Sequence, residues 1–135
     1  MNHKPQIVGN IGLYYICYRL SRMGWNVMPT ARNAQGIDVV AYNRLGTEFV
    51  GIQVKSLSNR APVPLGKSLD KIMGDYWIIV NKLNKEPETY ILLPDEVKKL
   101  AHKGEKEGRV SYWLQPKAYC KEEFYEVWQR IGSGE

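Results

Sequence analysis

Gly36-Ile37-Asp38 and, fifteen residues beyond the aspartate, Gln53-Val54-Lys55-Ser56 are the stretches whose reading decides the fold. Ile37 to Tyr42 is a β-branched run, Asn43-Arg44-Leu45-Gly46 is a turn signal, and Glu48 to Lys55 reads as the returning strand of a hairpin. Side chains alternate along a strand, so Val50, Ile52 and Val54 face a core while Gly51, Gln53 and Lys55 face the other way. Antiparallel pairing sets the start of one strand beside the end of the next. Asp38, Gln53 and Lys55 are therefore expected to converge.

Upstream, Leu13, Ile16, Cys17 and Leu20 recur at helical spacing, which predicts a helix from about Gly9 to Met23 stopped by Gly24. Trp25 to Met28 reads as a short strand, and Thr30 to Gly36 as a polar loop. Downstream, residues 56–68 contain two Pro, three Ser and one Gly and read as a mobile basic loop. Tyr76 to Val80 is a continuous apolar run, as a central strand requires, with Tyr90 to Leu93 its expected partner. Pro94 opens a helix expected to reach Lys103, and Phe124, Val127, Trp128 and Ile131 predict a last helix over about 121–131. The order, a helix, three strands, a loop, two strands and then helices, is that of an α/β or α+β domain with a mixed sheet flanked by helices.

The 135 residues allow one compact domain, and 44% apolar residues with four Trp and nine Tyr exclude disorder. No apolar run is long enough to span a membrane, and the first ten residues lack the pattern of a secretory signal. Cys17 and Cys120 make neither a disulfide framework nor a metal-ligand spacing. A reduced, cytoplasmic protein is the default. Net charge is +5, and residues 1–72 hold nine Lys/Arg against three acids, while residues 73–135 hold ten against eleven. Such asymmetry fits a polyanionic partner such as nucleic acid.

The trio suits phosphodiester hydrolysis. Mg²⁺ takes oxygen ligands, keeps several waters, and needs only one or two carboxylates beside substrate phosphate. Asp38 supplies the anion, Gln53 an amide oxygen and Val54 a main-chain carbonyl. Lys55 is placed to orient or deprotonate the attacking water and to offset charge building on phosphate.

These residues resemble the PD-(D/E)xK nuclease superfamily, which includes restriction endonucleases and archaeal Holliday-junction resolvases. The resemblance covers roughly residues 9–93 and implies one nuclease-like domain over 1–135, with a restriction-endonuclease-like core ordered αβββ-(loop)-ββ-α. It assigns the family's metal-binding aspartate to Asp38, its catalytic lysine to Lys55 and its second acidic position to Gln53. It also implies Mg²⁺, with Mn²⁺ as substitute, a DNA substrate, with branched or otherwise structured duplexes among the candidates, and a homodimer in which each site cuts one strand. Two positions depart from the pattern: the second acid is Gln53, and the glutamate many relatives carry on the first helix falls at Leu13, with Asn10 the nearest polar residue. Glu48 lies on the opposite face of its strand from Gln53.

Arg32, Asn33 and Gln35 either contact phosphate and base edges or form a solvated loop. Arg60, Lys67 and Lys71 are expected at phosphate, and Ser56 and Ser58 are hydrogen-bonding loop-formers. Tyr14, Tyr18, Trp77, Phe124 and Trp128 are expected in the core, whereas Trp25 and Trp113 fit either core or base stacking. His3 and His102 are expected at the surface, Cys17 in packing, and Lys98, Lys99, Lys103 and Lys106 on a wet helix face. Three functions fit: a metal-dependent endonuclease, a catalytically silent nucleic-acid-binding module of the same fold, and a subunit that docks an acidic protein. The residues do not separate DNA from RNA.

Overall fold

The first helix, α1 (Pro5–Arg22), begins earlier than its apolar stripe suggests, because Pro5 fits the first turn, where no N–H bond is needed. Its buried side, Val8, Gly12, Ile16, Cys17 and Leu20, lies across the sheet. The structure is a computed structural model that describes residues 3–31 and 36–135. Strands β1 (Asn26–Pro29), β2 (Val39–Tyr42) and β3 (Phe49–Ser56) follow, and the β2–β3 hairpin turns where expected. Then come β4 (Val63–Gly66), β5 (Tyr76–Asn81), β6 (Glu88–Leu92) and α2 (Pro94–Leu100). The chain closes with β7 (His102–Lys106), β8 (Arg109–Leu114), the short α3 (Pro116–Tyr119) and one 3-10 turn at Trp128–Arg130.

The main sheet is mixed and ordered β1-β2-β3-β5-β6, with β3 and β5 parallel and every other pair antiparallel. β5 is buried on both faces, which is why its run Tyr76–Val80 is uninterrupted apolar. Ile78 and Val80 join Ile16, Leu20, Val39, Ile52 and Ile91 in the core beneath α1. Trp77 and Ile79 join Val63, Leu92, Val97, Leu114 and Tyr119 in a second core on the opposite face. No helix among the described residues is long and apolar enough to cross a membrane.

Several expectations are corrected. The stretch read as a mobile loop contains β4, which pairs with β8 and β7 in a second sheet of three strands ordered β4-β8-β7. The helix from Pro94 stops at Leu100, so Lys103 and Lys106 lie on a strand; Lys98 and Lys99 remain on the helix, exposed. The expected last helix does not form. Phe124 and Trp128 are buried in different cores, and the backbone between them bonds the outer edge of β6 through Ile91 N–Phe124 O and Glu126 N–Thr89 O, each 2.9 Å. That segment covers an edge strand whose polar groups would otherwise be unpaired. Tyr14 and Tyr18 are exposed rather than in the core, on the outward side of α1. Trp25, Trp77, Phe124, Trp128 and Cys17 are buried, Trp113 is exposed, and His3 and His102 lie at the surface.

Candidate active site

Gly36 has φ +94°, a left-handed conformation that glycine adopts without strain, and it turns the chain into the start of β2. Thr30 latches this entry: its N–H donates to the Asp38 carbonyl at 2.9 Å and its hydroxyl to the Ile37 carbonyl at 2.6 Å. The Asp38 N–H donates to the Ile52 carbonyl at 2.8 Å, the last backbone bond of the hairpin. One residue pair further, the carboxylate takes over. Asp38 Oδ2 accepts the Val54 N–H at 2.7 Å, so the side chain extends the ladder just ahead of the first residue of β2. A strand residue points its N–H and carbonyl to the same side, so the Val54 carbonyl also faces this open strand end.

Asp38 and Val54 line a cleft of about 450 Å³ with Lys55, Ser56, Thr30 and α1. Asn10 and Gln6 line it from α1, one helical turn apart, as does Leu13. Burial raises the pKa of Asp38 above the ordinary carboxylate value, although the Val54 N–H and the charge of Lys55 pull the other way. No ion pair within 4.0 Å joins Asp38 to Lys55, so the two are not locked together as a structural pair. Lys55 Nζ instead stands 5.7 Å from the centre of the Trp77 ring. Lys55 also lines a second, adjoining cleft with Gln53, Pro64, Leu65, Lys71 and Trp77.

Gln53 departs from expectation. Its amide oxygen accepts the Trp77 indole N–H at 2.7 Å and the Met73 N–H at 2.8 Å, and its amide nitrogen donates to the Lys71 carbonyl at 3.2 Å. Both lone pairs of the oxygen are committed, which leaves none for a cation. Gln53 does not line the cleft that holds Asp38. Its task is to hold the Lys71–Met73 segment against the sheet, which corrects its reading as a ligand.

The other expected residues are dispersed. Ser56 lies in the Asp38 cleft with its hydroxyl against Gly12, where α1 crosses so closely that a Cβ on the glycine would collide with it. Lys71 is exposed at the second cleft and Lys67 is exposed just after β4. Arg60 lies farther off, in a cleft with His102 and Lys117. Arg32, Asn33 and Gln35 fall outside the described residues. Sequence reading missed Gln6; Pro5 as a helix start would have placed it four residues before Asn10 on the same face.

Among the described residues no group of three or more His, Cys, Asp or Glu side chains is placed to hold a metal. The Asp38 cleft instead offers one carboxylate, one carbonyl and neutral amides. That is an oxygen donor set suited to a hard cation that keeps most of its waters.

This arrangement is a restriction-endonuclease-like fold. Two solved structures share it. The bacterial homing endonuclease I-Ssp6803I is similar at a TM-score of 0.64 with 17% identity, over 96% of this chain and 93% of that one. Hjc, a Holliday junction resolvase from the archaeal hyperthermophile Archaeoglobus fulgidus, is similar at 0.51 with 16% identity, over 79% of this chain and 90% of that one. Compared by sequence, the chain matches no protein-family model and no curated protein.

Proposed function

We propose that the chain is a metal-dependent endonuclease that hydrolyses DNA phosphodiester bonds at the Asp38 cleft, acting as one nuclease-like domain. The observation that carries this reading is that Asp38, capping the end of β3, lines one cleft together with Lys55, which among the described residues is in no ion pair. One structural neighbour is named a homing endonuclease and the other a Holliday junction resolvase, which supports the substrate class.

Asp38 and the Val54 carbonyl are the residues that would hold Mg²⁺, with Mn²⁺ as substitute and Asn10 reachable from α1. A cation there supplies Lewis acidity to a phosphoryl oxygen and lowers the pKa of a bound water. Asp38 is fixed in advance, because its second oxygen is tied to Val54. Lys55 orients the attacking water and offsets charge on the phosphate oxygens. Lys67 and Lys71 receive the phosphate backbone beyond the second cleft. A homodimer would bring two such clefts to the two strands of a duplex.

The test is cleavage of linear, nicked, single-stranded and four-way DNA with Mg²⁺ or Mn²⁺, beside Asp38→Ala and Lys55→Ala. Metal-dependent nicking that falls at least a hundredfold in each variant is the expected result. Activity that survives both substitutions would place the site elsewhere. One observation favours a second reading, a binding module without cleavage: among the described residues Asp38 is the lone carboxylate lining its cleft. Salt-sensitive DNA binding with no cleavage under any metal would select it.

A further inference from the structure

The small sheet β4-β8-β7 presents an outward face on which strand alternation places His102, Lys106, Arg109, Ser111 and Trp113 together. Glu105 and the buried Leu114 belong to the other face, so this one carries cations, an imidazole and an indole without a carboxylate between the strand ends. Trp113 is the central feature. It is 38% exposed, and its ring N–H is held by the Ser111 hydroxyl at 3.2 Å. A large aromatic left at the surface in a fixed orientation is a stacking platform for an unpaired base.

Its neighbours connect two clefts. On one side Trp113 pairs with Pro64 of β4, and Pro64 lines the second cleft of Lys55. On the other it pairs with His102 of β7, which lines a separate cleft of about 470 Å³ with Arg60, Lys117 and Gln115. Two strand spacings, about 10 Å, thus carry a path from the Lys55 cleft across the indole to a cleft with two cations and an imidazole. That is about three steps of a stacked nucleic-acid strand. Among the described residues none of Arg60, Lys106, Arg109 or Lys117 is in an ion pair, so their charge is available to phosphate.

We infer that this face binds an unpaired DNA strand leaving the Lys55 cleft: a base stacks on Trp113 and the following phosphate enters the Arg60–His102–Lys117 cleft. The inference rests on the nuclease reading and adds to it a preference for duplexes that carry a single-stranded arm over blunt ones. A paired base offers no free face to the indole, whereas an arm does.

The experiment is a binding titration in EDTA, using a blunt duplex and the same duplex with an oligo-dT tail. Wild type is expected to prefer the tailed duplex, and Trp113→Ala to lose that preference by about tenfold while binding blunt duplex unchanged. Trp113→Phe, which keeps a ring and guards against a folding defect, is expected to retain most of it. The pair Arg60→Ala and Lys117→Ala is expected to flatten the salt dependence of tail binding. Equal affinity of Trp113→Ala and wild type for the tailed duplex, or equal losses on both substrates, would overturn the inference. Mg²⁺-dependent cleavage of the blunt duplex, measured alongside, tests the nuclease reading separately, because it does not require the tail.

Discussion

Gln53 and Trp77 sit opposite each other on the parallel strands β3 and β5, and the indole N–H of Trp77 donates to the amide oxygen of Gln53 at 2.7 Å. Gln53→Ala removes the acceptor of two N–H groups, one of them on a residue almost fully buried. It is expected to destabilise the fold by about 1–3 kcal/mol. Chemical denaturation reads the loss, and the Mg²⁺ concentration giving half-maximal cleavage should stay where it is in wild type. A Mg²⁺ requirement that rises tenfold with no loss of stability would return Gln53 to the role of ligand.

Asp38 pays for its position with charge. Burial is the largest influence on its carboxyl and raises its pKa, so the folded state resists ionisation more than the unfolded chain does. The corresponding stability is fully present below the unfolded carboxylate pKa and is lost as pH rises through the folded value. Asp38→Asn keeps an acceptor for the Val54 N–H and never ionises. Its melting temperature relative to wild type is therefore expected to climb from acid to neutral pH, while cleavage disappears. Thermal melts at several pH values without metal check the sign.

Gly12 lies where α1 crosses Ser56 at the end of β3. Gly12→Ala forces the helix away from the strand and is expected to cost about 1–3 kcal/mol despite the better helix propensity of alanine. Gly9→Ala meets nothing within 4 Å and is the control, expected to be neutral or slightly stabilising. Equal melting temperatures for the two variants would contradict the close crossing.

Tyr119 is buried, and its hydroxyl donates to the Ala61 carbonyl at 2.7 Å. Burial is the main reason that its phenol is pushed up to about 12, so it remains a donor throughout the neutral range. Tyr119→Phe is expected to cost about 1 kcal/mol and to loosen the segment that carries Arg60. Hydrogen exchange of residues 58–62, faster in the variant than elsewhere in the chain, is the readout.

The hairpin and its helix were legible because their signals are local. A turn sequence, a two-residue alternation and a helical stripe agree over residues 9–55, and the structure builds all three. The small sheet was not legible. Pro64 and Gly66 punctuate β4 as they would a loop, while the lysines after Pro94 interleave with acids as on a wet helix. The tight turn at Glu107-Gly108, both with positive φ, carries the glycine but not the usual Asn or Asp before it. At 121–131 the helical spacing misled, because Phe124 and Trp128 serve two cores and Glu126 takes φ 51° between them. Gln53 shows the limit most clearly. Its strand and face follow from alternation, but the direction of its amide is set by Trp77, 24 residues away.

The β2–β3 turn lies about 16 Å along the strand from Asp38, yet it governs where that acid points. Asn43 gathers the Thr47 and Glu48 N–H groups onto its side-chain oxygen and thereby fixes the length of the connection. Deleting or adding a single loop residue there would shift the two strands by one step, turning the aspartate toward the opposite side of the sheet while leaving every letter of the motif intact. For anyone redesigning this scaffold, the remote loop is a tuning peg for the chemistry, and sequence searches for the motif alone would not notice that it had been turned.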